Sequence, residues 1–85
     1  MKGFVYGLRS LKDSESYVGS TPVVPDRVED HNNGYVKSTK HRRPLVLEFV
    51  LEYDDLKTAR RMERKFKRSH SSLLRELKLR GVVHR

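Results

Sequence analysis

Phe4-Val5-Tyr6-Gly7-Leu8 and, after a short polar interval, Tyr17-Val18-Gly19-Ser20-Thr21 decide the fold. Both runs are rich in the β-branched and aromatic residues that suit a pleated strand. Alternation puts Phe4, Tyr6 and Leu8 on one face and Val5 and Gly7 on the other. The interval Ser10-Leu11-Lys12-Asp13-Ser14-Glu15-Ser16 has the composition of a hairpin connection, returning the chain as a second strand around Tyr17–Gly19. In such a hairpin Tyr6 and Tyr17 stand on neighbouring strands, and the expectation is that they share a side.

Working outward, Thr21-Pro22-Val23-Val24-Pro25 breaks the strand, and Asp26–Asn32 reads as a short helix with Pro25 tolerated in its first turn. Val24 and Val28 form an i,i+4 apolar stripe, and Arg27 and His31 share the stripe beside it. Asn32-Asn33-Gly34 ends the helix. Leu45-Val46-Leu47-Glu48-Phe49-Val50 is the clearest strand. Asp54-Asp55 then supplies acids for a helix start, where free amides and the dipole favour them. That helix runs to about Lys67, and another runs from Ser71 or Ser72 to Arg80, stopped by Gly81. The order β-β-α-β-α-α predicts an α+β fold, a small three-stranded antiparallel sheet flanked by helices.

The chain has 85 residues, which suits one domain, and no cysteine, which excludes disulfides and thiolate metal sites. Met1–Asp13 turns polar too early for a signal peptide and nothing approaches a membrane span, so the expected setting is cytoplasmic or nuclear. Net charge is +8 and unevenly placed. Residues 1–30 hold four basic and five acidic side chains, against fifteen basic and six acidic in the remainder. Such a surplus attracts polyanions and releases counterions on contact, which makes nucleic acid the first partner to consider. Lys37, Lys40, Arg42 and Arg43 crowd one loop, Gly34–Pro44. His41, His70 and His84 show no ligand spacing and read as surface residues.

One residue is out of place. At about 100° per residue, Leu56, Ala59, Met62 and Phe66 share one arc of their helix, and Glu63 falls inside it. A carboxylate aimed at a core face must be paired, hydrogen-bonded or bound to a metal. Glu63 therefore either pairs with an inward arginine such as Arg27, which helical geometry alone favours, or serves as a hard oxygen ligand for Mg²⁺ or Mn²⁺.

In order along the chain, Phe4-Val5-Tyr6, Tyr17-Val18-Gly19-Ser20-Thr21, Arg27, His31-Asn32-Asn33-Gly34, Ser38-Thr39-Lys40, Arg42-Arg43-Pro44, Ala59 and Glu63 resemble the signature of the GIY-YIG nucleases. The resemblance covers about residues 4–67, leaving 70–85 as a C-terminal helix and tail of the same domain. It implies hydrolysis of DNA phosphodiesters with one Mg²⁺ or Mn²⁺ ion, leaving a 3′-hydroxyl and a 5′-phosphate. On it, Tyr6 and Tyr17 match the two motif tyrosines, Arg27 the catalytic arginine, His31 a histidine found beside the first tyrosine, and Glu63 the metal-binding acid. Thr21, Lys37, Lys40, His41, Arg42, Arg43, Arg60, Arg64 and Lys67 are the expected nucleic-acid contacts. The compact type is similar to the nuclease domain of structure-specific endonuclease catalytic subunits, which act in DNA repair and recombination, so structured or branched DNA and a targeting protein partner are the expected associates. The chain departs from the pattern at Arg75, where many members carry an asparagine, and at Val23-Val24, where an acid and a leucine are usual. It also lacks the cysteine-rich zinc module of the eukaryotic subunits. The alternative is a module of the same fold that binds nucleic acid without cutting it.

Overall fold

A computed structural model describes residues 1–82. Three strands and three α-helices follow the expected order: β1 Gly3–Ser10, β2 Ser16–Thr21, α1 Val24–Asn32, β3 Leu45–Tyr53, α2 Leu56–Arg68 and α3 His70–Leu79. A single 3₁₀ turn, Lys40–Arg42, lies in the loop before β3. The sheet is antiparallel throughout, in the order β2-β1-β3. Residues 83–85, including His84, lie outside the described residues.

Strand β1 is buried on both faces because helices cover both. Tyr6 and Leu8 pack with Leu45 beneath Val24 and Val28 of α1. Val5 packs on the opposite face with Phe49, Leu51, Ala59, Phe66, Leu73 and Leu77, under α2 and α3. The alternation read from the sequence thus sorts side chains between two cores. Gly7 belongs to the second. Its Cα lies so close to the Phe49 ring, across the β1–β3 ladder, that an added Cβ would overlap it.

Each strand runs past its expected end. Arg9 and Ser10 look like loop residues, yet Arg9 forms an ion pair with Glu48 at 2.8 Å. The fully buried Ser10 hydroxyl donates to the Arg42 carbonyl at 2.6 Å. β3 continues through Leu51-Glu52-Tyr53 because Leu51 is buried opposite Val5. A register shift between Gly7 and Leu8 lets Phe49 and Leu47 occupy successive pairs, with Glu48 as the extra residue. α1 starts at Val24, two residues early, because Pro25 in the first turn has no amide to leave unpaired.

The helix ends match their sequence signals. Asp55 caps α2 by accepting from the Thr58 amide at 2.7 Å. Gly34 and Gly81 take positive φ after α1 and α3. Asn32 does more than terminate: its side-chain amide donates to the Leu45 carbonyl at 2.9 Å and accepts from the Leu45 amide at 2.8 Å. That pair fixes the end of α1, and with it His31, to the start of β3. Among the described residues no helix is long and apolar enough to cross a membrane.

Gly7→Ala forces the Phe49 ring from its seat. It is expected to lower the melting temperature by at least about 5 °C through overpacking, measured by circular dichroism.

Candidate active site

The β1–β2 register pairs Tyr6 with Gly19 and Leu8 with Tyr17, so the two tyrosines do share a face. Their ring centroids lie 6.4 Å apart. His31 completes a triangle of rings, at 5.7 Å from Tyr6 and 5.0 Å from Tyr17, edge-on to both. Gly19 makes the arrangement possible. A Cβ there would sit 2.5 Å from the Tyr6 hydroxyl and 3.0 Å from Tyr17. Without one, the Tyr6 phenol lies across β2 and presents its hydroxyl near the strand's outer edge.

Behind that hydroxyl runs a buried line of polar groups. Tyr6 Oη is 2.8 Å from His31 Nε2, and His31 Nδ1 is 2.7 Å from the Thr39 hydroxyl. Thr39 Oγ1 in turn donates to the Val36 carbonyl at 3.5 Å. With its proton so directed, Thr39 accepts from Nδ1–H, and Nε2 is left to accept from Tyr6. His31 and Thr39 are both fully buried. Burial, with the Arg27 charge nearby, lowers the His31 pKa to about 4, so the ring is neutral at pH 7. Burial also pushes the Tyr6 phenol up to about 12, while a hydrogen bond from Arg27 pulls against it. Arg27 and His31, one turn apart on α1, therefore grip the same hydroxyl.

Glu63 enters from the other face of the sheet. α2 packs over Val5, and the Ser20 side chain, opposite Val5, points to that side. There Ser20 Oγ donates to Glu63 Oε1 at 2.5 Å. Lys67, one turn along α2, forms an ion pair with Glu63 Oε2 at 2.7 Å and lies 5.3 Å from the centre of the Tyr17 ring. The expected pairing of Glu63 with Arg27 does not form: Lys67, within i,i+4 reach on the same helix, takes that place. Arg27 instead meets Tyr6 and, at 4.0 Å, Asp30.

The two faces meet at the free edge of β2. A hollow of about 320 Å³ is lined there by Tyr6, Tyr17, Gly19, Ser20, Arg27, Arg60, Glu63 and Arg64. Four of the five expected catalytic residues line it, and His31 lies directly behind. Arg60 and Arg64, expected as phosphate contacts, form part of its wall. No α3 residue lines it; Arg75, at the position of the missing asparagine, is exposed on that helix.

Other expected contacts serve the fold. Thr21 is buried, and its hydroxyl accepts from the Val23 amide at 3.2 Å, closing the turn into α1. Arg42 is tied to Asp13 at 3.3 Å and reaches the Ser16 carbonyl, and Arg43 donates to the Lys40 carbonyl at 2.8 Å. Both arginines brace their own loop. Lys37, Lys40 and His41 are exposed on it, as is His70 on α3. Ser20 and Thr39 carry site contacts that the sequence reading does not single out. Both stand inside the matched blocks, where only their hydroxyls mark them.

Among the described residues no cluster of three or more His, Cys, Asp or Glu side chains is placed to hold a metal ion. Glu63 is the acid in the hollow, and its half-buried carboxylate already holds a cationic group on Oε2. This donor set suits Mg²⁺ or Mn²⁺, which accept one protein carboxylate when phosphate and water supply the other ligands. It does not suit an ion that needs a full protein cage.

Residues 2–78 match the family model described as the GIY-YIG catalytic domain, and the chain belongs to that family. It is 36% identical over 84 residues to a UPF0213 protein of Pediococcus pentosaceus, covering 96% of this chain and 88% of that one. A UPF0213 protein of Bacillus cereus is 38% identical over 56 residues, 65% of this chain and 58% of its own. The solution NMR structure of a UPF0213 protein from Bacillus halodurans superposes with a TM-score of 0.53 at 30% identity, covering 95% and 87% of the two chains.

His31 gives stability a pH dependence. An unfolded chain, with the ordinary value of 6.5, binds a proton that the folded ring refuses until about pH 4. The contribution is complete above the unfolded value and is lost as pH falls through that window, at up to about 1.4 kcal/mol per pH unit. Urea titrations across the window are expected to show this slope, and His31→Phe is expected to flatten it.

Proposed function

We propose that the protein is a divalent-metal-dependent DNA endonuclease, with the whole chain acting as one catalytic unit on structured or branched DNA. The observation that carries this reading is the convergence of Tyr6, Tyr17, Arg27 and Glu63, from four different elements, on one solvent-open hollow.

Phosphodiester hydrolysis builds negative charge on the nonbridging and leaving oxygens, so its catalysis is mainly positioning and electrostatics. Arg27 supplies a permanently charged fork for the scissile phosphate. Arg60 and Arg64 add charge at the rim. Glu63 is the residue that would hold Mg²⁺ or Mn²⁺, and a bound ion supplies Lewis-acid stabilisation of the oxygen charge.

For the ion to bind there, Lys67 must release Oε2, and its ammonium then becomes available to phosphate. Tyr6 donates its proton to His31, which leaves a lone pair facing the hollow to accept a hydrogen bond from the attacking water. As water attacks, its proton passes to Tyr6 Oη while the phenol proton moves to His31 Nε2. This route avoids a free phenolate, which the pKa of about 12 disfavours, and ends on an imidazolium that burial and Arg27 oppose until substrate phosphate brings negative charge to the hollow. The Thr39 hydroxyl holds the ring in the accepting orientation. Tyr17 orients the water or the phosphate.

The test is nicking of supercoiled plasmid and cutting of branched duplexes with Mg²⁺, Mn²⁺ or chelator. Arg27→Ala and Glu63→Gln are each expected to slow cutting by at least about 100-fold, with DNA affinity in Glu63→Gln nearly unaltered. Full activity in chelator would remove the metal from the reading. Tight binding by the wild-type protein without cutting would favour the non-catalytic module.

A further inference from the structure

A second hollow lies at the corner between α2 and α3, on the outer side of α2. It measures about 380 Å³ and is lined by Arg61, Arg64, Lys65, Arg68, Ser69 and Ser72. Every lining residue is charged or polar. The four cations fall at i, i+3, i+4 and i+7, so they form one stripe along the helix, about 10 Å long at 1.5 Å per residue. Several basic side chains elsewhere pair with acids: Lys2 with Glu52, Arg9 with Glu48, Arg42 with Asp13, Lys67 with Glu63 and Arg80 with Glu76. None of the four in this groove lies within ion-pair distance of an acid among the described residues.

We infer that this groove is a separate phosphate-binding site, which takes the nucleic-acid backbone a short distance along the strand from the bond held in the first hollow. Three features fix the occupant. Four neighbouring like charges repel one another until a polyanion covers them. Three of them are arginines, whose planar forks match phosphate oxygens. Every side chain that lines the groove ends in a polar or cationic group, which gives it the positive character of a nucleic-acid interface. Arg64 lines both hollows and links them. A strand lying across the β2 edge therefore meets the stripe next.

The inference shifts the main backbone contact away from the basic loop. There Arg42 and Arg43 are held by Asp13, Ser16 and Lys40, whereas among the described residues no acid lies within ion-pair distance of the α2 stripe, Asp55 at the helix start acting on Arg61 only at longer range. It rests on the nuclease reading only for the statement that the bound strand is the one being cut. The phosphate site itself does not need that reading.

The experiment compares two variants that each lose three charges: Arg61→Gln/Lys65→Gln/Arg68→Gln in the groove, and Lys37→Gln/Lys40→Gln/Lys78→Gln outside it. Fluorescence anisotropy with a labelled duplex, over a range of salt concentrations, reports affinity and the slope of log K against log [salt]. The groove variant is expected to lose at least about tenfold in affinity and about two to three from the slope, with clearly smaller losses in the other variant. Equal losses in both would mean that the groove holds no more of the backbone than the basic loop does and would overturn the proposal, as would an unchanged slope in the groove variant. Hydrolysis of bis(4-nitrophenyl) phosphate, too small to reach the groove, separates the two readings. It should proceed in the groove variant at the wild-type rate. If the wild-type protein fails to hydrolyse it while the groove variant still loses affinity, the cutting reading falls and the phosphate site stands.

Discussion

The structure turns on one phenol crossing one glycine. Tyr6 belongs to the central strand, and its hydroxyl reaches the β2 edge only because Gly19 has no side chain in its path. Once there, the hydroxyl is met by His31 from behind and Arg27 from the side, both carried on α1. Asn32 fastens that helix to β3, and Thr39 fastens the histidine ring. Each constraint concerns a polar group removed from water, and such groups are stable only when their partners are in place. The phenol's position is therefore set by burial and hydrogen bonding together.

Charge is managed differently on the two sides of the hollow. On the α1 side, burial keeps the histidine and the phenol neutral, so Arg27 is the charged member of that group. On the α2 side, Ser20 and Lys67 hold the two oxygens of the Glu63 side chain. Lys67 compensates the acid from within the chain, an arrangement that leaves the acid one exchange away from holding an external cation. On the outer face of α2 none of Arg61, Arg64, Lys65 and Arg68 has an acid within ion-pair distance among the described residues, and their positive charge is directed outward.

Much of this was legible in the residues. Period-two patterning in Phe4–Leu8 and the recurrence at Tyr17 placed both tyrosines on one side of a hairpin. The conflict between Glu63 and its apolar neighbours marks the acid in the sequence itself. What stayed hidden depends on three-dimensional detail. Arg9 and Ser10 carry no strand signal, and they extend β1 because Glu48 and the Arg42 carbonyl wait across space. The partner of Glu63 was within reach of the sequence, since Lys67 stands four residues on along the same helix; only the second contact, from Ser20, needed the packing of α2 on β2. Arg42 and Arg43 look like phosphate contacts by composition, and their bonds to Asp13 and Lys40 become visible only when the loop closes.

The most direct test of this convergence is paramagnetic broadening by Mn²⁺ in proton NMR of the protein. The chain has four tyrosines, two in the hollow and two, Tyr35 and Tyr53, outside its lining. Substoichiometric Mn²⁺ is expected to broaden the ring resonances of Tyr6 and Tyr17 first, and Glu63→Gln to abolish that preference. Equal broadening of all four rings, or selective broadening that persists in Glu63→Gln, would contradict a metal held by Glu63 beside the two phenols.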